Sequence, residues 1–228
     1  MLARLRQHRH ARASVVATGA LLAAALGSMS MIAPAGPARP PGSPPGLQAL
    51  LDTPATDLPF SPALAAVSCP VERGPVKEGA DADRAAVSTA VVTTSVSYLR
   101  GRAKPTSYPR NARLRGAERH IYQVTAYLTQ FKLESDGDVH LVLKDSAGRN
   151  MIAEIPYGGC VPTSSRWKNA IAAARKAFTA AEHPSTSWHY VHRVVTVRGL
   201  GYFDPPHGQT GAAPDGLELH PVIGVSFR

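Results

Sequence analysis

Hydrophobic and polar residues alternate along three consecutive segments in the middle of the chain, at 121–134, 139–145 and 150–156. Such a period of two, rich in β-branched and aromatic residues, predicts half-buried strands. An Asp-Gly turn separates the first two segments and SAGR the next two, so we expect the first two strands to form a hairpin. The residues expected to face the core are Tyr122, Val124, Ala126 and Leu128 in the first strand and Val139, Leu141 and Leu143 in the second.

The spacing then changes to that of a helix. Segment 168–182 is rich in alanine, and Ile171, Ala174 and Phe178 fall on one helical face. We expect Ile171 and Phe178 to be buried and Lys168 and Lys176 to be exposed.

Two further segments, 192–204 and 217–227, return to the strand pattern. Gly199 and Gly201 indicate a bulge or a sharp bend in the fourth strand. The order β-β-β-α-β-β is that of the OB-fold. We therefore predict a mainly β protein with one or two helices, built as a five-stranded OB-fold-like barrel with an N-terminal extension. An α+β sandwich is the alternative, and pairing of the first and fourth strands would distinguish the barrel from it.

The N-terminus has the pattern of an export signal. Arg4, Arg6, Arg9 and Arg12 precede an uncharged apolar stretch at 13–26. We expect a signal peptide over 1–38, a Pro/Ala-rich disordered linker over 39–66, an extension packed on the barrel over 67–118, and the barrel itself over 119–228. The apolar stretch is shorter than the roughly 20 residues of a spanning helix, so we expect a secreted or extracytoplasmic protein without a stable membrane span after cleavage.

Charge and cysteine content narrow the function classes. The formal net charge is +9, and without the five arginines of the first 39 residues it is about +4. A net charge of about +4 gives only weak support for nucleic acid or another polyanion as partner. We expect the protein to be a monomer. Segment 100–119 carries seven Lys or Arg and one Glu, which is typical of a solvated loop or of an anion-binding rim.

Cys69 and Cys160 are an even pair in an exported chain, which predicts a disulfide.

OB-folds bind ligands with the loops between strands 1 and 2 and between strands 4 and 5. The first of these loops offers Asp136, Asp138 and His140 as candidate metal ligands, and its oxygen-rich turn suits Ca²⁺. The second loop is stiffened by prolines and adds further candidates for binding. If it is only structural, His207 and Gln209 should bond to its own backbone and Glu218 and His220 should face solvent. The complete set of candidate binding residues is Asp136, Asp138, His140, Asp204, His207, Gln209, Glu218 and His220.

Two long motifs carry a resemblance. KLESDGDVHLVLKDSAGRNMIAEIPYGGC (132–160) and YFDPPHGQTGAAPDGLELHPV (202–222) resemble the signatures KLExDGDxHLVLxDxxGxxMIAEIPxxxC and FFDxxHGQTGxAPNxIELHPV of a family of uncharacterised secreted bacterial proteins. Tyr202, Asp215 and Leu217 depart mildly from the second signature. The resemblance implies an exported domain of this architecture and no particular activity.

Residues 136–138 are also similar to the DGDT loop that holds Ca²⁺ for phosphodiester cleavage in OB barrels of the staphylococcal-nuclease type. Val139 stands where that loop has threonine, and no arginine-and-glutamate catalytic set follows the third strand.

No nucleophile elbow and no HExxH motif occurs in the sequence, so nucleophilic catalysis finds little support and an enzymatic role is left open. The sequence favours an exported binding module of unknown ligand that uses the two loops. Alternatives are a metal-dependent, nuclease-like phosphodiesterase and a structural cell-surface domain without a small ligand.

Overall fold

The computed structural model describes residues 67–228. The expected signal peptide (1–38) and linker (39–66) lie outside the described residues. Strands dominate the described part, and three helices accompany them. The elements in chain order are α1 (Gly74–Lys77), β1 (Val91–Thr94), α2 (Val96–Leu99), β2 (Ile121–Leu133), β3 (Val139–Lys144), β4 (Asn150–Ile155), α3 (Lys168–Glu182), β5 (His189–Phe203) and β6 (Leu217–Phe227).

Five of the strands close into a ring of hydrogen-bonded neighbours. Their order is β2-β3-β4-β6-β5, and β5 returns to pair with β2. The β4–β6 pair is parallel, and the other pairs of the ring are antiparallel. The short strand β1 adds to β2 in parallel, outside the ring. The five predicted strands are thus confirmed as β2 to β6, and the first and fourth of them pair as expected.

The alternation read from the sequence places the core correctly in β2 and β3. Every residue expected to face the core in these two strands is buried. The strand pairing between β5 and β6 shifts register around Gly199 and Gly201, as the glycines predict. Next to this irregularity Val222 of β6 faces the main core, whereas Ile223 packs against a smaller hydrophobic cluster.

Helix α3 packs its apolar face against β6 and β4. Ile171 and Phe178 are buried and Lys176 is exposed, as predicted. Lys168 is half-buried rather than exposed, because its ammonium group donates a hydrogen bond to the carbonyl oxygen of Val161 at 2.9 Å.

The segment before β2 is anchored to the strands by covalent and ionic contacts. Cys69 and Cys160 form the predicted disulfide, with Cα atoms 5.4 Å apart. Arg73 donates two hydrogen bonds to the buried carboxylate of Glu118, at 2.6 and 2.9 Å.

Arg113 and Glu118 of the basic stretch differ from the expectation of a solvated loop, because both are buried. Arg113 is buried, and its Nε donates to Asp81 Oδ2 at 2.9 Å. The buried carboxylate of Asp81, which follows α1 in the chain, therefore stabilises the buried guanidinium of Arg113. None of the helices in residues 67–228 is long and apolar enough to cross a membrane.

Candidate functional site

Strand register gathers ionisable side chains on one face of β3, β4 and β6. His140 on β3 lies directly opposite Glu154 on β4. Ala153 pairs with Leu219, which places His220 beside Glu154. These residues alternate with the apolar residues of the core and so point to the opposite face of the sheet.

This polar face is covered, and its side chains are buried. Asp138, Glu154 and Glu218 are almost fully buried, and His220 is 0% exposed. The solvent-facing arrangement considered for Glu218 and His220 is therefore wrong. The cover consists of Lys77 at the end of α1 and of the β5–β6 loop, neither of which is close in sequence to β3 or β4.

His140 bridges the site and the β5–β6 loop. Its Nδ1 donates to Glu154 Oε1 at 2.8 Å, and its Nε2 donates to the carbonyl oxygen of Thr210 at 2.9 Å. Burial alone would lower the pKa of His140, but the hydrogen bond and charge of Glu154 outweigh it and the pKa is raised. Because both ring nitrogens face acceptors, we assign His140 as an imidazolium.

His220 lies between two carboxylates. Its Nε2 is 3.3 Å from Asp138 Oδ2, and its Nδ1 is 3.1 Å from Glu154 Oε2. Neither contact is aligned as a hydrogen bond. Burial would lower the pKa of His220, but the neighbouring Asp138 and Glu154 raise it.

The two glutamates of the site have pKa values shifted in opposite directions. Burial would raise the pKa of Glu154, but His140 and His220 hold it well below its usual range. For Glu218, burial and the charges of Glu154 and Asp204 act together and raise its pKa well above the usual range. The surroundings therefore favour the ionised form of Glu154 and disfavour that of Glu218.

Lys77 is the cation shared by this group of acids. It is 7% exposed, and its Nζ lies 3.8 Å from Asp204 Oδ1. Burial would lower the pKa of Lys77, but the charges of Glu154, Asp204 and other carboxylates raise it. The ammonium group makes no hydrogen bond within residues 67–228, and it faces a cavity.

The β5–β6 loop closes over the site through side chains. His207 Nδ1 lies 2.7 Å from the carbonyl oxygen of Pro205 and 2.9 Å from Asp204 Oδ2. With its amide group turned to suit its neighbours, Gln209 donates to Glu218 Oε1 at 3.1 Å and to Asp204 Oδ2 at 3.2 Å. His207 thus follows the structural expectation and bonds to its own loop, whereas Gln209 bonds to buried acids.

A cavity of about 310 Å³ opens between the two loops. Trp188 forms one wall, with Lys132 Nζ 5.0 Å from the centre of its ring, and the Trp188 ring meets His140 edge to face at 5.5 Å. The lining is mostly polar and consists of Lys77, Lys132, Glu134, Ser135, Asp136, His140, Glu154, Trp188, His207, Gly208, Gln209 and Thr210. A smaller cavity of about 110 Å³, which reaches Asp204 and Glu218, lies on the other side of His207–Gln209.

The predicted residues are brought together in part. Both loops contribute to the larger cavity, through Asp136 and His140 from one and His207 and Gln209 from the other. The expected metal set of Asp136, Asp138 and His140 does not converge on one point. The described residues that do converge, with ligand atoms within 4.8 Å of one another, are Asp138, Glu154 and His220.

Sequence reasoning missed Glu154, Lys77 and Trp188. Glu154 could have been found, because it is an acid at the outward parity of the apolar strand MIAEIP. Lys77 and Trp188 lie in short segments without a pattern, so the sequence gives no sign of their position.

Comparison with models of known protein families finds no match for this chain. Comparison with curated proteins finds no match either. The function must therefore be argued from the geometry.

Proposed function

We propose that this protein is an exported binding module with an OB-like barrel, and that it takes a small polar ligand in the cavity between the β2–β3 and β5–β6 loops. The strand order with β2 closing on β5, and the helix between β4 and β5, support the OB-like assignment. The disulfide supports export, because such bonds persist in oxidising compartments.

The observation that carries the proposal is the environment of the ammonium group of Lys77. The ammonium group of Lys77 makes no hydrogen bond to another described residue, so nearby carboxylates offset its burial through charge alone. Its charge is balanced by nearby acids, but its donors point to a cavity large enough for a small molecule. The hydrogen-bond donors of Lys77 are therefore available to a ligand in the cavity.

The lining indicates what kind of molecule fits. Lys77 can donate to ligand oxygens, Asp136 can accept from hydroxyl groups, and Trp188 provides an aromatic wall. Hydroxyl-rich rings satisfy all three requirements, and OB-folds are known to bind oligosaccharides as well as oligonucleotides. We therefore propose a sugar-like ligand, and a monomeric protein that binds it.

The test is a binding screen read by tryptophan fluorescence. The chain has two tryptophans, and Trp167→Phe isolates the signal of Trp188 in the cavity wall. We expect a saturable change with at least one member of a panel of neutral sugars, uronic acids and nucleotides. Because hydrogen bonds to charged groups contribute about 1.5–3 kcal/mol, Lys77→Met should weaken that binding by roughly 10- to 100-fold.

Lys176→Met is the matched control, since Lys176 is exposed on α3 and should leave binding unchanged. Equal affinity of the Lys77→Met variant and the wild type would contradict the proposal, and so would a panel without any saturable binder.

A further inference from the structure

Three side chains, from the β2–β3 turn, from β4 and from β6, converge next to the cavity. Asp138, Glu154 and His220 each present a ligand atom within 4.8 Å of the others. The separation of 3.3 Å between His220 Nε2 and Asp138 Oδ2 is close to that of two ligands on one small cation, for which metal–ligand distances are about 2.0–2.2 Å.

The converging atoms lack hydrogen bonds. Asp138 is 1% exposed, yet its Oδ2 has no hydrogen-bond partner among the described residues, and neither ring nitrogen of His220 has one. Buried polar atoms are normally paired, and leaving them unpaired costs about 1–3 kcal/mol each. Asp138 Oδ2 and His220 Nε2 face each other without a hydrogen bond, which indicates a missing group that they would share.

Each carboxylate is also held in place by its other oxygen. Asp138 Oδ1 accepts a hydrogen bond from the backbone N–H of Tyr157 at 2.7 Å. Glu154 Oε1 accepts from His140 at 2.8 Å. One oxygen of each acid is therefore fixed by a supporting residue and the other is directed toward His220, which is the arrangement that orients ligands around bound metals.

We propose that Asp138, Glu154 and His220 form a binding site for a divalent transition-metal cation, separate from the ligand contacts made by Lys77. One imidazole nitrogen and two carboxylate oxygens suit Zn²⁺, Mn²⁺ or Co²⁺ better than Ca²⁺, which prefers an all-oxygen shell. Three protein ligands leave a coordination position for water or for a bound molecule.

The charge of Lys77 should affect the two proposed binding events in opposite directions. Lys77 shares the electrostatic field of Asp138 and Glu154, so its ammonium group repels a cation bound there. Lys77→Met should therefore strengthen metal binding, although the same change should weaken binding of the sugar-like ligand. The two proposals can thus fail independently of each other.

The test uses the purified protein after removal of metals with a chelator. Calorimetry with Zn²⁺ and with Mn²⁺, and absorption spectroscopy with Co²⁺, should show binding of one ion with a visible Co²⁺ spectrum. Asp138→Asn should lower the affinity by more than the roughly 10- to 100-fold seen when only a supporting residue is changed. Asp145→Asn, which follows the opposite end of β3 from Asp138, is the matched control and should retain wild-type affinity.

A second measurement covers the case in which Asp138→Asn fails to fold. In wild-type protein with ¹⁵N-labelled histidine, Zn²⁺ should shift one ring nitrogen of His220 to the position of a metal-bound nitrogen. No binding heat with either ion, equal affinity of the two aspartate variants, or unshifted His220 nitrogens would each overturn the proposal.

Discussion

Replacing Glu118 with alanine should test how the segment before β2 is held to the strands. Glu118 is 0% exposed, and its carboxylate accepts four hydrogen bonds. Two come from Arg73, at 2.6 and 2.9 Å, and two come from backbone N–H groups, of Leu114 at 2.6 Å and Phe203 at 2.8 Å. The substitution leaves the guanidinium of Arg73 buried without its counter-ion.

The magnitude follows from that uncompensated charge. Breaking a buried ion pair by removing one partner costs about 3–5 kcal/mol. With a urea dependence of about 2 kcal/mol per molar, the midpoint of unfolding should fall by roughly 1.5–2.5 M. Replacing both partners by apolar residues, as in Arg73→Met with Glu118→Leu, should recover part of this loss because no buried charge is left unpaired.

Urea unfolding followed by circular dichroism measures these changes. Arg149→Ala is the control, because the pair of Arg149 and Asp145 is at the surface, with the Arg149 side chain 50% exposed, and should contribute less than about 1 kcal/mol. A loss below about 1 kcal/mol in Glu118→Ala would refute the reasoning, since it would mean that Arg73 finds other compensation.

Three further predictions concern the covalent link, the loop and the pH dependence of stability. Reducing the disulfide, which spans 91 residues, should lower the free energy of unfolding by about 4–5 kcal/mol in the chain-entropy model, and unfolding with and without reductant measures this. Gly211→Ala should destabilise the β5–β6 loop, because φ is +91° and an added Cβ would lie 2.7 Å from Val142. Gly208→Ala shares the positive φ but meets open space, so it should lower the melting temperature less, and equal effects would count against the clash with Val142. Burial and a neighbouring carboxylate raise the pKa of Glu78 to about 7, so the folded protein retains a proton that the unfolded chain releases, and stability falls as pH rises through 7. Glu78→Gln removes this dependence, and its stability relative to wild type, measured with a chelator present, should increase from pH 5 to pH 8; a constant difference would contradict the assignment.

The strands could be predicted because their signal is local. In β2 the residues of one parity pack into the core, and Val124 and Leu128 are fully buried. Gly199 and Gly201 marked the irregularity in β5, because a side chain at Gly201 would lie against the carbonyl oxygen of Ala117. The pairing of β2 with β5 also followed from the order of elements, since a helix between the third and fourth of five strands is the order of the OB-fold.

The site could be predicted only in its loops. Asp138 and His140 were expected to contribute because they follow an Asp-Gly turn. The β3–β4 register sets Glu154 opposite His140, and His220 links Glu154 to Asp138. Lys77 lies 61 residues before Asp138 in the chain, and no spacing rule connects them. The burial of His220 follows from packing of α1 and of the β5–β6 loop, which a strand pattern does not encode.

The contrast between two buried ionic groups is the strongest argument that the polar face has a function. Arg73, Glu118, Arg113 and Asp81 are buried together, and every one of their buried side-chain polar atoms has a hydrogen-bond partner. Within residues 67–228, four of the seven buried side-chain polar atoms without a partner belong instead to the site, on Asp138, Glu218 and His220. The described part of the chain therefore completes the hydrogen bonds of buried charged groups where they hold the fold together, and leaves some of them unmade beside a cavity. Because unsatisfied groups lower stability, their concentration at one place supports the proposal that ligands bind there.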